Sequence, residues 1–232
     1  MRSRRDDPTD RFLAIVRLAS SFVSARRLSQ AIAEGDGISV LVEIADDASA
    51  RAAQEGGAEG LVVRARAFTA ETDLPLLAYG LLPEDAAAGS ADAVVLNPGD
   101  GDEALAGHVE RCHELGIEVV VRVSDDDELA RALDHVDPEI LLLTAERADD
   151  EQAPLDRLLE LLPDVPAGKL AIAELADASR QDVEELERAG VDAVLVAGDV
   201  ETLVGDAVPD VIMAPVLMSS VQNDQYSCFL LS

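Results

Sequence analysis

The chain has 232 residues, 48% of them hydrophobic, enough to bury one good-sized core in one domain or two. Its 47 acidic against 18 basic residues leave a formal net charge of -29. That argues against nucleic acid, which needs clustered Lys and Arg to displace counterions, and against an anionic membrane surface.

The first 30 residues hold seven arginines against Asp6, Asp7 and Asp10, so the remainder is more acidic than the total. Phe12, Ile15, Ala19, Phe22 and Val23 recur at helical spacing. Arg4-Arg5 before an apolar run has the look of an export signal, but Asp6-Asp7-Pro8-Thr9-Asp10 intervenes and Arg17 interrupts the run. We therefore expect residues 1–30 to form an N-terminal helical extension packed across one end of the domain.

From about residue 37 one theme repeats, a short β-branched run followed by a polar stretch rich in Ala, Glu and Arg. Such alternation predicts parallel strands joined by crossover helices. The strand candidates are 39–44, 60–65, 75–79, 92–96, 117–123, 139–143, 169–174 and 192–197. Eight is the number that closes a barrel, so the expected fold is a compact (β/α)8 TIM barrel over residues 31–210. Glycine-bearing turns (GGAEGLVV, AAGSADAVVL, ELGIEVVV, RAGVDAVLV) precede several strands, where a left-handed residue lets the chain reverse after a helix.

Local motifs along this repeat read as structure. Asn97-Pro98-Gly99-Asp100-Gly101 resembles a glycine-rich loop, but Asp100 and Asp102 would repel phosphate, leaving a strand-to-helix turn. Ser124-Asp125-Asp126-Asp127-Glu128 lacks the alternating ligands and glycine of a calcium loop and predicts a helix start capped by Ser124. His108, His113 and His135 show no metal-ligand spacing, so no metal and no cofactor is expected. Cys112 and Cys228 are too few for a disulfide framework. They suggest a reducing, cytoplasmic setting with Cys112 as an inert buried thiol. Nearly all positive charge is Arg, with Lys169 the sole lysine; a salty cytoplasm or a GC-rich genome would each give this bias. Residues 211–232 are apolar with only Asp224 charged, a tail that is disordered or covers an apolar patch on a protein partner.

Residues 117–198 carry a resemblance. IEVVVRVSDDDELARAL, then ILLLTAERADDEQAPLDRLLELLPDVPAGKLAIAELADASRQDVEELERAGVDAVLVAG, resembles the second half of indole-3-glycerol-phosphate synthase, a ribulose-phosphate-binding barrel of tryptophan biosynthesis. AIAEGDGISVLVEI and TDLPLLAYG resemble its first and third strands. The resemblance implies a lyase that closes the indole ring of a carboxyphenylamino-deoxyribulose phosphate, losing carbon dioxide and water without cofactor or metal. It also implies a site at the C-terminal ends of the strands.

Carried over position by position, the resemblance makes Glu43 the first-strand glutamate, while the nearby lysine reads Ala45. The third-strand lysine, the family's general acid, reads Tyr79. The fifth-strand glutamate reads Arg122, and the paired asparagines after strand six read Ala145 and Glu146, with the next arginine kept as Arg147. Ala173-Glu174 preserve the Ala-Glu of strand seven, and the phosphate-binding glycine after strand eight reads Ala197, followed by Gly198. Lys169 precedes strand seven and falls at the opposite, bottom face.

The candidate catalytic residues are thus Glu43, Glu174 and Tyr79, and the candidate substrate or phosphate contacts Arg147, Arg122 and Gly198. A structural reading of the two glutamates has them held by Arg122 or Arg147. With the lysines absent and the loops after strands one and two shortened, ring closure is expected to be impaired or lost. The alternative is a non-catalytic barrel that binds a small ligand or a protein partner, with a phosphorylated small molecule as one candidate ligand.

Overall fold

A computed structural model describes residues 27–64, 72–145, 153–197, 200 and 203. Each run read as a strand forms one: β1 (Ser39–Glu43), β2 (Gly60–Arg64), β3 (Leu76–Tyr79), β4 (Ala93–Leu96), β5 (Glu118–Val123), β6 (Ile140–Thr144), β7 (Leu170–Glu174) and β8 (Ala193–Val196). All neighbours pair in parallel and β8 returns to β1, which closes the sheet into a barrel in sequence order. The described helices are α1 (Arg27–Glu34), α2 (Asp47–Glu55), α3 (Pro83–Ala88), α4 (Asp102–Leu115), α5 (Asp126–His135), α6 (Pro154–Leu161) and α7 (Arg180–Ala189). The expected (β/α)8 barrel is the fold.

Because strand side chains alternate between faces, each strand feeds two cores. Leu41, Val62, Leu77, Val120, Leu142, Ile172 and Leu195 fill the barrel interior. Their neighbours, such as Val40, Val42, Val121, Leu141, Leu143 and Val194, pack outward under the helices. Strands buried on both sides are apolar nearly throughout, and β6 is buried at every position.

The bottom of the barrel is closed by α1, whose Leu28 and Ile32 are buried against the interior cluster. Glu118, at the start of β5, meets the first turn of this helix. Its Oε2 accepts from the backbone N–H of Leu28 at 2.8 Å and of Ser29 at 3.1 Å, and the Ser29 hydroxyl donates to Oε1. A carboxylate there satisfies amide donors that a helix leaves open. The helix expected from Phe12 to Val23 lies outside the described residues; α1, running across residue 30, is the helix seen covering this end.

The bottom turns use one device twice. Asp92, just before β4, accepts from the N–H of Leu76 at 2.9 Å, and Asp192, just before β8, accepts from the N–H of Ala171 at 2.7 Å. The two Asp-Ala-Val starts lie four strands apart and do the same work. Lys169 is also at this end. Its Nζ donates to the Pro138 carbonyl at 2.8 Å and pairs with Asp137 at 2.6 Å, bracing a turn in which Asp137 is left-handed at φ 46°.

Two local expectations are corrected. The α5 cap is Asp125, extended at φ -152°, whose side chain accepts from the N–H of Glu128. Ser124 is instead buried, donating from its N–H and hydroxyl to Glu128 Oε2. With Asp125 as the cap, the helix starts one residue later than expected. In AAGSADAVVL the left-handed residue is Ser90 (φ 59°), while in RAGVDAVLV it is Gly190 (φ 99°), as expected.

Candidate functional site

The alternation that places Leu41, Val62, Leu77, Val120 and Ile172 inside the barrel also decides what lies two residues further on. Those positions are Glu43, Arg64, Tyr79, Arg122 and Glu174, all on the inward face at the C-terminal, upper mouth. Thr144 ends β6 in register with Glu174.

Arg64 joins these residues. Its Nε donates to Glu43 Oε2 at 2.7 Å and its Nη2 donates to Glu174 Oε1 at 2.5 Å, bridging β1 and β7 from β2. The guanidinium carbon lies 4.0 Å from the centre of the Tyr79 ring, a cation–π contact with the in-register residue of β3. The Tyr79 hydroxyl donates to the second oxygen of Glu174 at 3.2 Å. One guanidinium thus touches side chains from three other strands.

The protonation states follow from these contacts. Burial tends to lower the Arg64 pKa, but the hydrogen bonds and charges of Glu43 and Glu174 outweigh it and push the pKa further above its ordinary value. Burial and the Glu174 charge raise the Tyr79 phenol, while Arg122 and Arg64 oppose them. At neutral pH both Arg64 and Tyr79 keep their protons, so the mouth holds fixed donors, with the Arg64 charge paired to Glu43 and Glu174, in place of a lysine that exchanges protons.

The expected residues Glu43, Tyr79 and Glu174 are therefore brought into one network, with Arg122 on β5 at the same mouth and its charge acting on Tyr79. Arg147 and Gly198 lie outside the described residues, as does Glu146. The arginine seen on both glutamates is Arg64, a residue that the reading with Arg122 or Arg147 in this role did not name. Sequence reasoning passed over Arg64 because no family motif was matched to it. The period of β2 could have found it, since Val62 points inward and Arg64 is two residues on.

Beside Glu174 a cleft of about 520 Å³ opens at the tops of β6 and β7, walled by Ala145, Leu155, Leu175 and Asp177. Among the described residues, no group of three or more His, Cys, Asp or Glu is placed to hold a metal ion. No described helix is long and apolar enough to cross a membrane.

Parallel strands closed into a barrel, with polar side chains gathered at their C-terminal ends, define the TIM-barrel architecture used by many enzymes. The indole-3-glycerol phosphate synthase of Variovorax paradoxus is 31% identical over 191 residues, covering 77% of this chain and 67% of that protein. Those of Kineococcus radiotolerans and Dichelobacter nodosus are 33% and 32% identical, over 145 and 97 residues. The matches span about half and about a third of those two proteins, at 52% and 36%. The chain belongs to the indole-3-glycerol phosphate synthase family, as a divergent member with Ala45 and Tyr79 where the resemblance calls for lysine. No family model matches it.

Solved structures with the same fold include thiamine phosphate pyrophosphorylase from Pyrococcus furiosus (TM-score 0.55, 18% identity, 72% of this chain and 93% of that one). A 2,3-dimethylmalate lyase gives a TM-score of 0.54 at 12% identity, over 75% and 79% of the two chains. The N-acetylmannosamine-6-phosphate 2-epimerase from Clostridium perfringens gives 0.53 at 14%, over 71% and 88%. Three such different names on one barrel show that the likeness speaks for the fold alone.

Proposed function

We propose that this chain is an indole-3-glycerol phosphate synthase-like barrel that has lost ring closure and retains its mouth as a binding site for a small phosphorylated molecule. The observation that carries this reading is the Arg64 network. Both glutamates at the mouth are engaged by a guanidinium that does not release its proton, with a phenol held protonated beside it.

Ring closure needs an acid that delivers a proton to the carbonyl and hydroxyl oxygens of the precursor during the reaction. A lysine or carboxylic acid with a suitable pKa does this; an arginine at the same mouth supplies only charge and hydrogen bonds. Charge and fixed donors are what an anionic ligand requires. Arg64 and Arg122 set two guanidinium groups beside Glu43 and Glu174 at the mouth, donors for an anion in a chain that is otherwise strongly acidic. Two cysteines without a disulfide framework fit a cytoplasmic setting, and the apolar stretch 211–232 fits docking on a protein partner.

The test is to incubate the full chain with carboxyphenylamino-deoxyribulose phosphate and follow indole fluorescence. The protein has no tryptophan, so product would rise from a dark background. No indole product together with a raised melting temperature is the expected result. Sustained turnover overturns the loss of catalysis, and absence of any stabilisation overturns the binding site.

A further inference from the structure

The Arg64 side chain reaches β1, β3 and β7 together from β2. We propose that Arg64 is the positioning residue of this site, the cation around which Glu43, Glu174 and Tyr79 are assembled into one rigid array. The inference rests on the mouth being the functional site.

The geometry is specific to arginine. A planar fork presents two donors in different directions, so one side chain reaches Glu43 through Nε and Glu174 through Nη2 while its flat face covers the Tyr79 ring. Lysine carries its charge as a single point and cannot span the pair in this way. Arg64 and Glu43 are each about one-third exposed and Glu174 only 14%, so the contact to Glu174 is the better shielded of the two. Glu174 then uses its other oxygen for the Tyr79 hydroxyl, so the position of the phenol depends on the arginine twice, through the ring face and through the shared glutamate.

The charged groups facing Tyr79 are Arg64 from β2, Glu174 from β7 and Arg122 from β5, with Glu43 of β1 reaching it through Arg64. This makes the phenol a reporter. The chain contains two tyrosines and no tryptophan, so tyrosinate absorbance in the near ultraviolet reads Tyr79 and Tyr226 alone, and Tyr79→Phe assigns the two transitions.

Alkaline titration of the ligand-free protein tests the proposal. Arg64→Gln removes a cation and leaves Glu174 beside the phenol, so the Tyr79 transition moves to higher pH, by about threefold or more in its acid constant. Arg64→Lys gives a smaller shift in the same direction, because charge returns without the fork, and Glu174→Gln moves the transition to lower pH. A residue that only filled space would give the opposite result. Removing it would admit water to the ring and bring the transition down towards the ordinary tyrosine value. That downward shift, or no shift, in Arg64→Gln overturns the proposal. If Arg64→Gln does not reproduce the parent far-ultraviolet circular dichroism, Arg64→Lys decides by the same two directions. The titration uses no ligand, so its outcome is independent of the turnover assay: observed ring closure would end the functional reading and leave the role of Arg64 standing.

Discussion

Cys112 shows how far one residue can be read from its neighbours. It sits on α4 with no exposed surface, and burial, aided by the Glu84 charge, pushes its thiol up to about 11. Since the thiolate is the reactive form, Cys112 in a Cys228→Ser variant should react with a thiol reagent at neutral pH only as fast as the protein unfolds. Prompt labelling under native conditions would contradict that burial. The mouth was legible in part by the same kind of reasoning. Glu43, Tyr79 and Glu174 are found at strand ends because a strand that finishes in a polar residue must point it towards the mouth or the helices. Arg64 was not found, because its importance comes from reaching β1 and β7, and strand β7 lies more than a hundred residues away in the chain. Lys169 shows the converse. Its place before β7 set it at the bottom from sequence, while its bond to the Pro138 carbonyl needed the fold.

At the scale of elements, the eight strands were legible within a residue or two because both of their faces are buried, leaving nearly continuous apolar runs. The plug formed by α1 was not, since Leu28 and Ile32 are too few to mark a helix by periodicity. Its attachment through Glu118 has a measurable consequence. Burial raises this carboxyl above its ordinary value of 4.5, against the lowering by Ser29 and the Leu28 and Ser29 amides. The folded state therefore holds the proton to higher pH than the unfolded chain does. Stability contributed by this group is greatest below the unfolded value, falls as pH rises through the interval up to the raised folded value, and is level beyond it. Urea unfolding from about pH 4 to pH 7 should therefore show the parent losing stability relative to Glu118→Gln as pH increases. A difference that is flat with pH would mean that the carboxyl is not held in this way.

For the molecule as a whole, charge dominates. A net charge of -29 on 232 residues places like charges close together over the surface, and the described ion pairs engage few of them. Self-repulsion opposes compaction and is screened by salt, with a Debye length that falls from about 10 Å at 0.1 M to about 3 Å at 1 M. The melting temperature should therefore rise between those two salt concentrations, and with sodium chloride as well as with a strongly salting-out salt. A melting temperature that falls or stays constant in sodium chloride would show that repulsion does not limit stability. The Arg64 pairs, being partly shielded, should persist at the higher concentration.

By itself the sequence determined the barrel, its strand order, the acidic surface and the family, because these depend on local pattern: a period of two within strands, turn residues between elements, and runs of matched residues. Only the tertiary structure decided which side chains share the mouth. Barrel closure brings β7 and β8 back beside β1 and β2, so Glu43, Arg64 and Glu174 meet across separations that no local pattern records. It also decided that the cation at their centre is an arginine on the second strand, within the interior face that closure creates.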